Sequence, residues 1–302
     1  MAEPIVLVAG NDILGGTGGH PSYVRSHGLA ARAAGFEPHV FALSRGAGLT
    51  ETAFGTVHRC PVRLSLERLP VLRHRKNQLV WRYAYLARAV ASFALAHPRV
   101  RLIHSFGVFG CVGVMASAML RRRGVEVAPI LSSYDTATRE VTAKVRGTSR
   151  AHGPVRRLGY RAELLWIRRV VARYERIGYL GSRLVLVNYE SVRRLLVASY
   201  GIGDRIRKVP YASEVAFRSP SAAAGPMPAV LAEGVPGGAP RIVAVSRHDP
   251  RKGVDVLIHA LERLRRGGGR FRAWLVGGGN LLSSHRRLVD HLGLGDMVTV
   301  LG

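Results

Sequence analysis

Lysine is nearly missing from this chain: of 302 residues only Lys76, Lys144, Lys208 and Lys252 are lysine. Arginine therefore supplies almost all of the 45 basic residues, which stand against 19 acidic ones for a formal net charge of +26. A field of that sign attracts nucleic acid, anionic lipid or phosphorylated small molecules without choosing among them. We attribute the excess to a coding bias toward arginine and give it little functional weight. Cysteine is scarce too: Cys60 and Cys111 lie far apart and lack metal-ligand spacing, which excludes a disulfide framework and a zinc site. They read as two buried thiols. The opening "MAEPIVLVAG" has neither the basic flank nor the long apolar core of a secretory signal. A cytoplasmic protein is expected. Zinc-finger, RNA-recognition and helix-turn-helix signatures are missing, and the aromatics form no stacking platform, so specific nucleic-acid binding is not expected.

Long uncharged runs are also few. The one that stands out, Leu102 to Leu120, carries only His104 as a titratable base and is followed by three arginines. It reaches the roughly 18 residues at which a membrane span is considered, but Gly107, Gly110 and Gly113 divide it into a short strand, a turn and the start of a helix. No span is expected there.

What the chain does have is alternation. Residues 4–9 read as a strand, 21–34 as a helix and "EPHVFAL" as a second strand, a βαβ unit of Rossmann type. Further strands are predicted at "RLIHSF", "EVAPILSS" and "RLVLVN" with helices between them. A segment rich in proline, alanine and glycine at 217–240 reads as a linker. After it come strand "RIVAVS", helix "GVDVLIHALERLRRGG", strand "FRAWLVGG", helix "LLSSHRRLVDHLG" and strand "MVTVLG". The expectation is an α/β protein of two Rossmann-like domains, a first domain at 1–216 and a partial second domain of about three strands at 241–302.

Two places can carry chemistry. Between the first strand and helix, Gly15, Gly16, Gly18 and Gly19 let backbone N–H groups approach a phosphate or sugar. The pattern is neither a P-loop nor a clean G-x-G-x-x-G, and Glu37 precedes the second strand where a dinucleotide site needs an acid at its end, so a nicotinamide dehydrogenase is rejected. In "VAVSRHDPRKGVDVLIHAL", Arg247 and Lys252 are five apart on a loop from strand to helix, with Gly253 at the helix start. Two converging cations suit a diphosphate. Gly277, Gly278 and Gly279 end the next strand and permit close approach at the carboxyl edge of the same sheet.

These segments, "GGTGGHPSYVRSHGLAARAAGFEPHVFAL", "LVLVNYESVRRLLVASYGIGDRIRKVPYASEVAFR" and "SRHDPRKGVDVLIHAL", resemble in type and order the retaining glycosyltransferases of family 4, which have the GT-B architecture. The resemblance implies a nucleotide-sugar donor, a UDP- or GDP-sugar, bound mainly by the second domain. It implies an acceptor, a lipid or small molecule, bound mainly by the first, and retention at the anomeric carbon. Arg247 and Lys252 would hold the donor diphosphate, and Gly15 and Gly16 with Gly277 and Gly278 would face its phosphate or sugar. No cofactor is implied. The lack of any D-x-D pair agrees with a transferase that needs no metal.

The family commonly has a histidine after the strand matching "APILSSYD"; here Tyr134 and Asp135 stand there, and Tyr134 can donate a hydrogen bond in its place. His104 is the other candidate catalytic group. The family's E-x7-E motif falls past the point matching Gly302, so the chain is expected to be a glycosyltransferase fragment lacking that donor motif; the alternative expectation is a noncatalytic nucleotide-binding or membrane-docking remnant of such an enzyme. In "GYRAELLWIRRVVARYERIGY", Tyr160, Leu164, Ile167, Val171 and Tyr174 form an apolar stripe with arginines elsewhere. That pattern fits a helix packed on the sheet, and leaves peripheral contact with an anionic membrane as a second use.

Overall fold

A computed structural model describes residues 2–15, 18–61, 80–146, 154–210 and 238–302. Its contacts divide the chain into two units, one of residues 1–140 and 162–219 and one of residues 141–161 and 220–302. The interval 217–240, expected to be a linker, lies almost wholly outside the described residues, as does Gly16.

In the first unit, strand β1 (Glu3–Gly10) is apolar at every buried position because it is covered on both faces. With a side-chain period of two, Ile5, Leu7 and Ala9 point to one layer and Val6 and Val8 to the other. The first layer is closed by Tyr23 and Val24 of helix α1 (Gly19–Ala33). The second is closed by α2 (Trp81–Ala96), through Tyr83, Leu86 and Val90, and by α3 (Gly110–Arg121), through Val112 and Ala116. The apolar run from Leu102 resolves into strand β5 (Leu102–Phe106), a 3-10 turn Gly107–Phe109 and α3. Among the described residues no helix is long and apolar enough to cross a membrane.

The remaining strands are β2 (Phe36–Ser44), β3 (Gly48–Thr52), β4 (Gly55–Pro61), β6 (Ala128–Ser133), β7 (Leu184–Val187) and β8 (Ile206–Lys208). They form one eight-stranded sheet in the order β3-β4-β2-β1-β5-β6-β7-β8. Every pairing is parallel except β3 with β4. From β1 the chain winds outward to β2 and later returns to place β5 on the other side. The sheet order reverses there, and the crevice beyond the carboxyl ends of β1 and β5 is where such folds bind ligands.

Helix α4 (Ala137–Arg146) follows β6, and α5 (Pro154–Trp166) runs through one wide π turn at Ile167–Val171 into α6 (Ala172–Gly181). Ile167 and Val171 are fully buried, as the apolar stripe requires. Helix α7 (Glu190–Tyr200) covers β7 through Val192 and Leu196.

The second unit carries a parallel sheet of three strands, β9 (Arg241–Val245), β10 (Arg272–Val276) and β11 (Val298–Leu301), in the order β11-β10-β9. Helices α8 (Val254–Arg266) and α9 (Leu282–His291) pack Val254, Ile258, Leu261 and Val289 onto Ala273, Leu275 and Val298.

Candidate functional site

In the first unit, three loops meet at the switch point. The loop after β1 turns at Gly10, whose missing side chain leaves room for Phe109: a Cβ there would sit 2.2 Å from that ring. Ile13 is fully buried and its carbonyl accepts from Arg25 of α1 at 3.0 Å, while Asp12 accepts from the Leu14 N–H at 3.0 Å. Gly15 faces open space. Helix α1 begins at Gly19, two residues earlier than its apolar period indicates, so its first turn carries His20.

His20 is the residue that sequence reasoning missed. Burial holds its imidazole below the usual histidine range, so the ring is neutral at pH 7. Its Nε2 lies 2.8 Å from the Ala9 carbonyl, which can only accept, so Nε2 carries the proton. Nδ1 is then an acceptor, and the Tyr134 hydroxyl, 3.0 Å away, donates to it. The Tyr134 proton, expected from sequence to be available for a ligand, is held by His20, and the phenol oxygen offers lone pairs instead. Burial, followed by the charges of Glu140 and Asp135, pushes the Tyr134 phenol well above its ordinary range.

His104 sits elsewhere. It pairs with Leu7 and Ile130 in the middle of the sheet, is 6% exposed, bonds Ser132 Oγ through Nε2 at 2.8 Å and stacks on Phe106. Burial, with the neighbouring His27, keeps it neutral. The strand interior, rather than the crevice, is its place. Asp135 accepts from the Thr136 N–H at 2.8 Å and lies 3.9 Å from Arg139. Beneath that turn, Glu175 of α6 accepts from the Ala137 N–H at 2.7 Å, and burial with Asp135 and Glu140 nearby pushes its carboxyl up to about 7. A carboxyl at the start of α4 completes that helix's unsatisfied first turn.

In the second unit, the loop after β9 carries the two cations. Asp249 caps a 3-10 turn, Pro250–Lys252, by accepting from the Arg251 N–H at 3.1 Å, and binds the Arg251 guanidinium through Nε at 2.8 Å. Those bonds with Arg251 outweigh burial and hold the Asp249 carboxyl below its usual range. Of the three cations in this loop, then, Arg251 is committed to Asp249. Arg247 and Lys252 are exposed, and among the described residues their side chains form no hydrogen bond or ion pair. Gly253, with φ of 62°, turns the chain into α8, whose first N–H groups open beside the cations.

The glycine loop after β10 is zipped to this one. Ser246 N–H donates to Val276 O, His248 N–H to Gly278 O and Leu281 N–H to His248 O, at 2.9–3.0 Å. A Cβ on Gly277 would stand 2.3 Å from Ser246 O, and one on Gly279 2.4 Å from His248 O, so glycine is required for the contact. The Gly277 N–H is used by Leu301 O, whereas Gly278 faces open space. Among the described residues no group of three His, Cys, Asp or Glu is placed to hold a metal ion.

Residues 232–302 match the family described as Glycosyl transferases group 1. No curated protein sequence matches significantly. Among solved structures, the catalytic domain of starch synthase IV from Arabidopsis thaliana, bound to ADP and acarbose, is similar with a TM-score of 0.61 at 12% identity, over 99% of this chain and 74% of that one. The UDP-forming α,α-trehalose-phosphate synthase from Burkholderia vietnamiensis gives 0.58 at 13% identity, over 100% and 72%. HepE from Anabaena, in complex with UDP-glucose, gives 0.53 at 17% identity, over 99% and 68%. The cation loop and the glycine loop both fall within the matched region, and the chain has the α/β fold, built on parallel sheets, of the GT-B glycosyltransferases.

Proposed function

We propose that this protein is a glycosyltransferase that moves a hexosyl group from a nucleotide-sugar donor to an acceptor with retention of anomeric configuration, as in family 4. The observation that carries the proposal is the pair of uncommitted cations, Arg247 and Lys252, on the loop that leads into α8 inside the segment that matches glycosyl transferases group 1. A diphosphate accepted there meets two positive side chains and free backbone N–H groups. These contacts strengthen as the bond to the sugar breaks and negative charge gathers on the departing nucleotide, which is where binding energy lowers a barrier. Similar folds hold UDP-glucose or ADP, in support of a UDP-, GDP- or ADP-linked donor.

The crevice of the first unit supplies a neutral His20, the Tyr134 oxygen and the exposed start of α1, a polar setting for an acceptor hydroxyl. We assign the acceptor to this crevice and name it by class, a lipid or small polyol. Because no D-x-D pair occurs in the sequence, turnover is proposed to need no metal. The test is incubation with a panel of UDP-, GDP- and ADP-sugars, with EDTA present, with product anomers read by NMR. Binding of the nucleotide without turnover would favour the noncatalytic alternative, and no binding of any nucleotide would remove the proposal.

A second surface supports contact with an anionic membrane at the cytoplasmic face. At the first-unit end of α5, Leu165 and Trp166 show apolar surface, with Leu165 57% exposed, and Arg168 and Arg169 are exposed in the π turn that follows. Apolar residues that wet, beside arginines, suit a headgroup boundary. Flotation with vesicles rich in phosphatidylglycerol tests this; a Leu165→Glu/Trp166→Glu variant that floats as well as wild type would overturn it.

A further inference from the structure

The second unit buries two histidines against each other. His248, between Arg247 and Asp249, is 1% exposed, His285 of α9 is 4% exposed, and their Nδ1 atoms lie 2.8 Å apart. At that distance one nitrogen donates and the other accepts, so the pair shares a single proton between the two Nδ1 atoms. His248 is also the backbone hinge of the two ligand loops. Its N–H bonds Gly278 O, its carbonyl takes Leu281 N–H, and the Gly279 backbone packs on it with no space for a side chain. The side chain ties the loop to α9, and the main chain ties it to the glycine loop.

We infer that His248 and His285 are a positioning pair that holds the cation loop, Arg247 to Gly253, in register with Gly277–Gly279, and that donor affinity depends on their sharing one proton. This rests on the proposal that the cation loop binds a diphosphate. Acid first protonates the free Nε2 of the donating ring and leaves the shared bond in place; a second proton, on the accepting Nδ1, sets two donors on two cationic rings face to face at 2.8 Å, an arrangement that cannot persist in a buried site. Of the charged groups near the pair, Arg286 on α9 adds to that cost; on the loop, Arg251 is bound to Asp249, and Arg247 and Lys252 are exposed. Burial and Arg286 both hold His248 below its ordinary value, in agreement with a pair that stays neutral near pH 7 and opens in acid.

The experiment has two parts. First, amide exchange in the ligand-free protein, corrected for intrinsic rates, is followed at His248 and Leu281 from pH 7.5 to 5. Wild type is expected to lose protection at both amides toward pH 5, and a His248→Leu/His285→Leu variant, which replaces the pair by an apolar contact of similar size, is expected to keep it. Second, the dissociation constant of UDP or GDP is measured over the same range. The ratio of wild type to variant, which cancels ionisation of the phosphate itself, is expected to rise about tenfold from pH 7.5 to pH 5, equivalent to about 1.4 kcal/mol. His285→Leu alone leaves His248 without its partner and is expected to weaken binding at every pH.

Protection that persists in wild type at pH 5 would overturn the inference whether or not a nucleotide binds. Loss of protection together with a flat affinity ratio would also overturn it, because the pair would then serve the fold alone. Failure of wild type to bind any nucleotide at pH 7.5, with exchange behaving as expected, would instead strike the diphosphate assignment.

Discussion

Three cations share six residues of the second unit, and the structure separates them sharply enough to predict two different outcomes on substitution by alanine. Lys252 and Arg247 make no side-chain hydrogen bond or ion pair among the described residues, Arg247 acting on Asp249 only by its charge, so each is free to make a charge-assisted bond to a diphosphate. Such a bond contributes about 1.5–3 kcal/mol. Both side chains are exposed and screened, so the lower end applies, and Lys252→Ala or Arg247→Ala is expected to weaken UDP or GDP binding about tenfold. Arg251 is different. Its guanidinium is spent on Asp249 at 2.8 Å, while the Arg251 N–H, which alanine retains, still holds the Asp249 cap at 3.1 Å. Arg251→Ala should thus cost about 1 kcal/mol of stability and change nucleotide affinity less than about threefold. The assay is isothermal titration at two salt concentrations, with urea midpoints measured in parallel. If Lys252→Ala binds as wild type while Arg251→Ala loses tenfold with its fold intact, the assignment of free and committed cations is wrong.

Other outcomes follow from packing and titration. Gly277→Ala places a Cβ 2.3 Å from Ser246 O at a φ of +131° and is expected to destabilise the protein by about 2 kcal/mol or more, whereas Gly278→Ala, with nothing within 4 Å, should stay within about 0.5 kcal/mol of wild type in a urea titration. Burial pushes the Cys60 thiol up to about 11 and the Cys111 thiol higher still, so an aromatic disulfide reagent should modify neither cysteine in the native protein and both after unfolding. Burial and the neighbouring His39 push His58 down to about 4, so the unfolded chain binds the extra proton between about pH 6.5 and 4 and stability falls as pH drops through that window. Discounted for its partial exposure, the loss is about 1 kcal/mol. His58 stacks on Phe41 at 4.5 Å, so His58→Phe should keep the packing and flatten that part of the pH profile.

The alternation of strands and helices was legible because each core strand is a continuous apolar run and each covering helix has its own period, as in β1 and α8. The edges were less so. Strands β3 and β4 form a hairpin through Ala53 and Phe54, a connection without the Asn-Gly or Asp-Gly signal, and β8 is only three residues long. At the site, Arg247 and Lys252 announced themselves by charge and spacing. His20 did not, since a single histidine beside glycines carries no periodic signal and its partner Tyr134 is 114 residues away. His104 stood out in sequence for the opposite reason: a polar residue in an apolar strand attracts notice, yet its bond to Ser132 lies inside the sheet. Asp249 was overlooked although the D-P-x-x-G pattern around it is that of a capped turn. The pairing of His248 with His285 depends on two loops being zipped together, which no local pattern reports.

The three loops at the switch point bear on how this scaffold could be recombined. Phe109, from the turn after β5, fills the space that Gly10, from the loop after β1, leaves empty, and His20 at the start of α1 fixes Tyr134 after β6. A chimera that imports any one of these loops from a relative would bring a side chain without its hole, or a hole without its side chain. The loops that carry Gly10 and His20, Phe109, and Tyr134 are therefore one cassette, to be exchanged together.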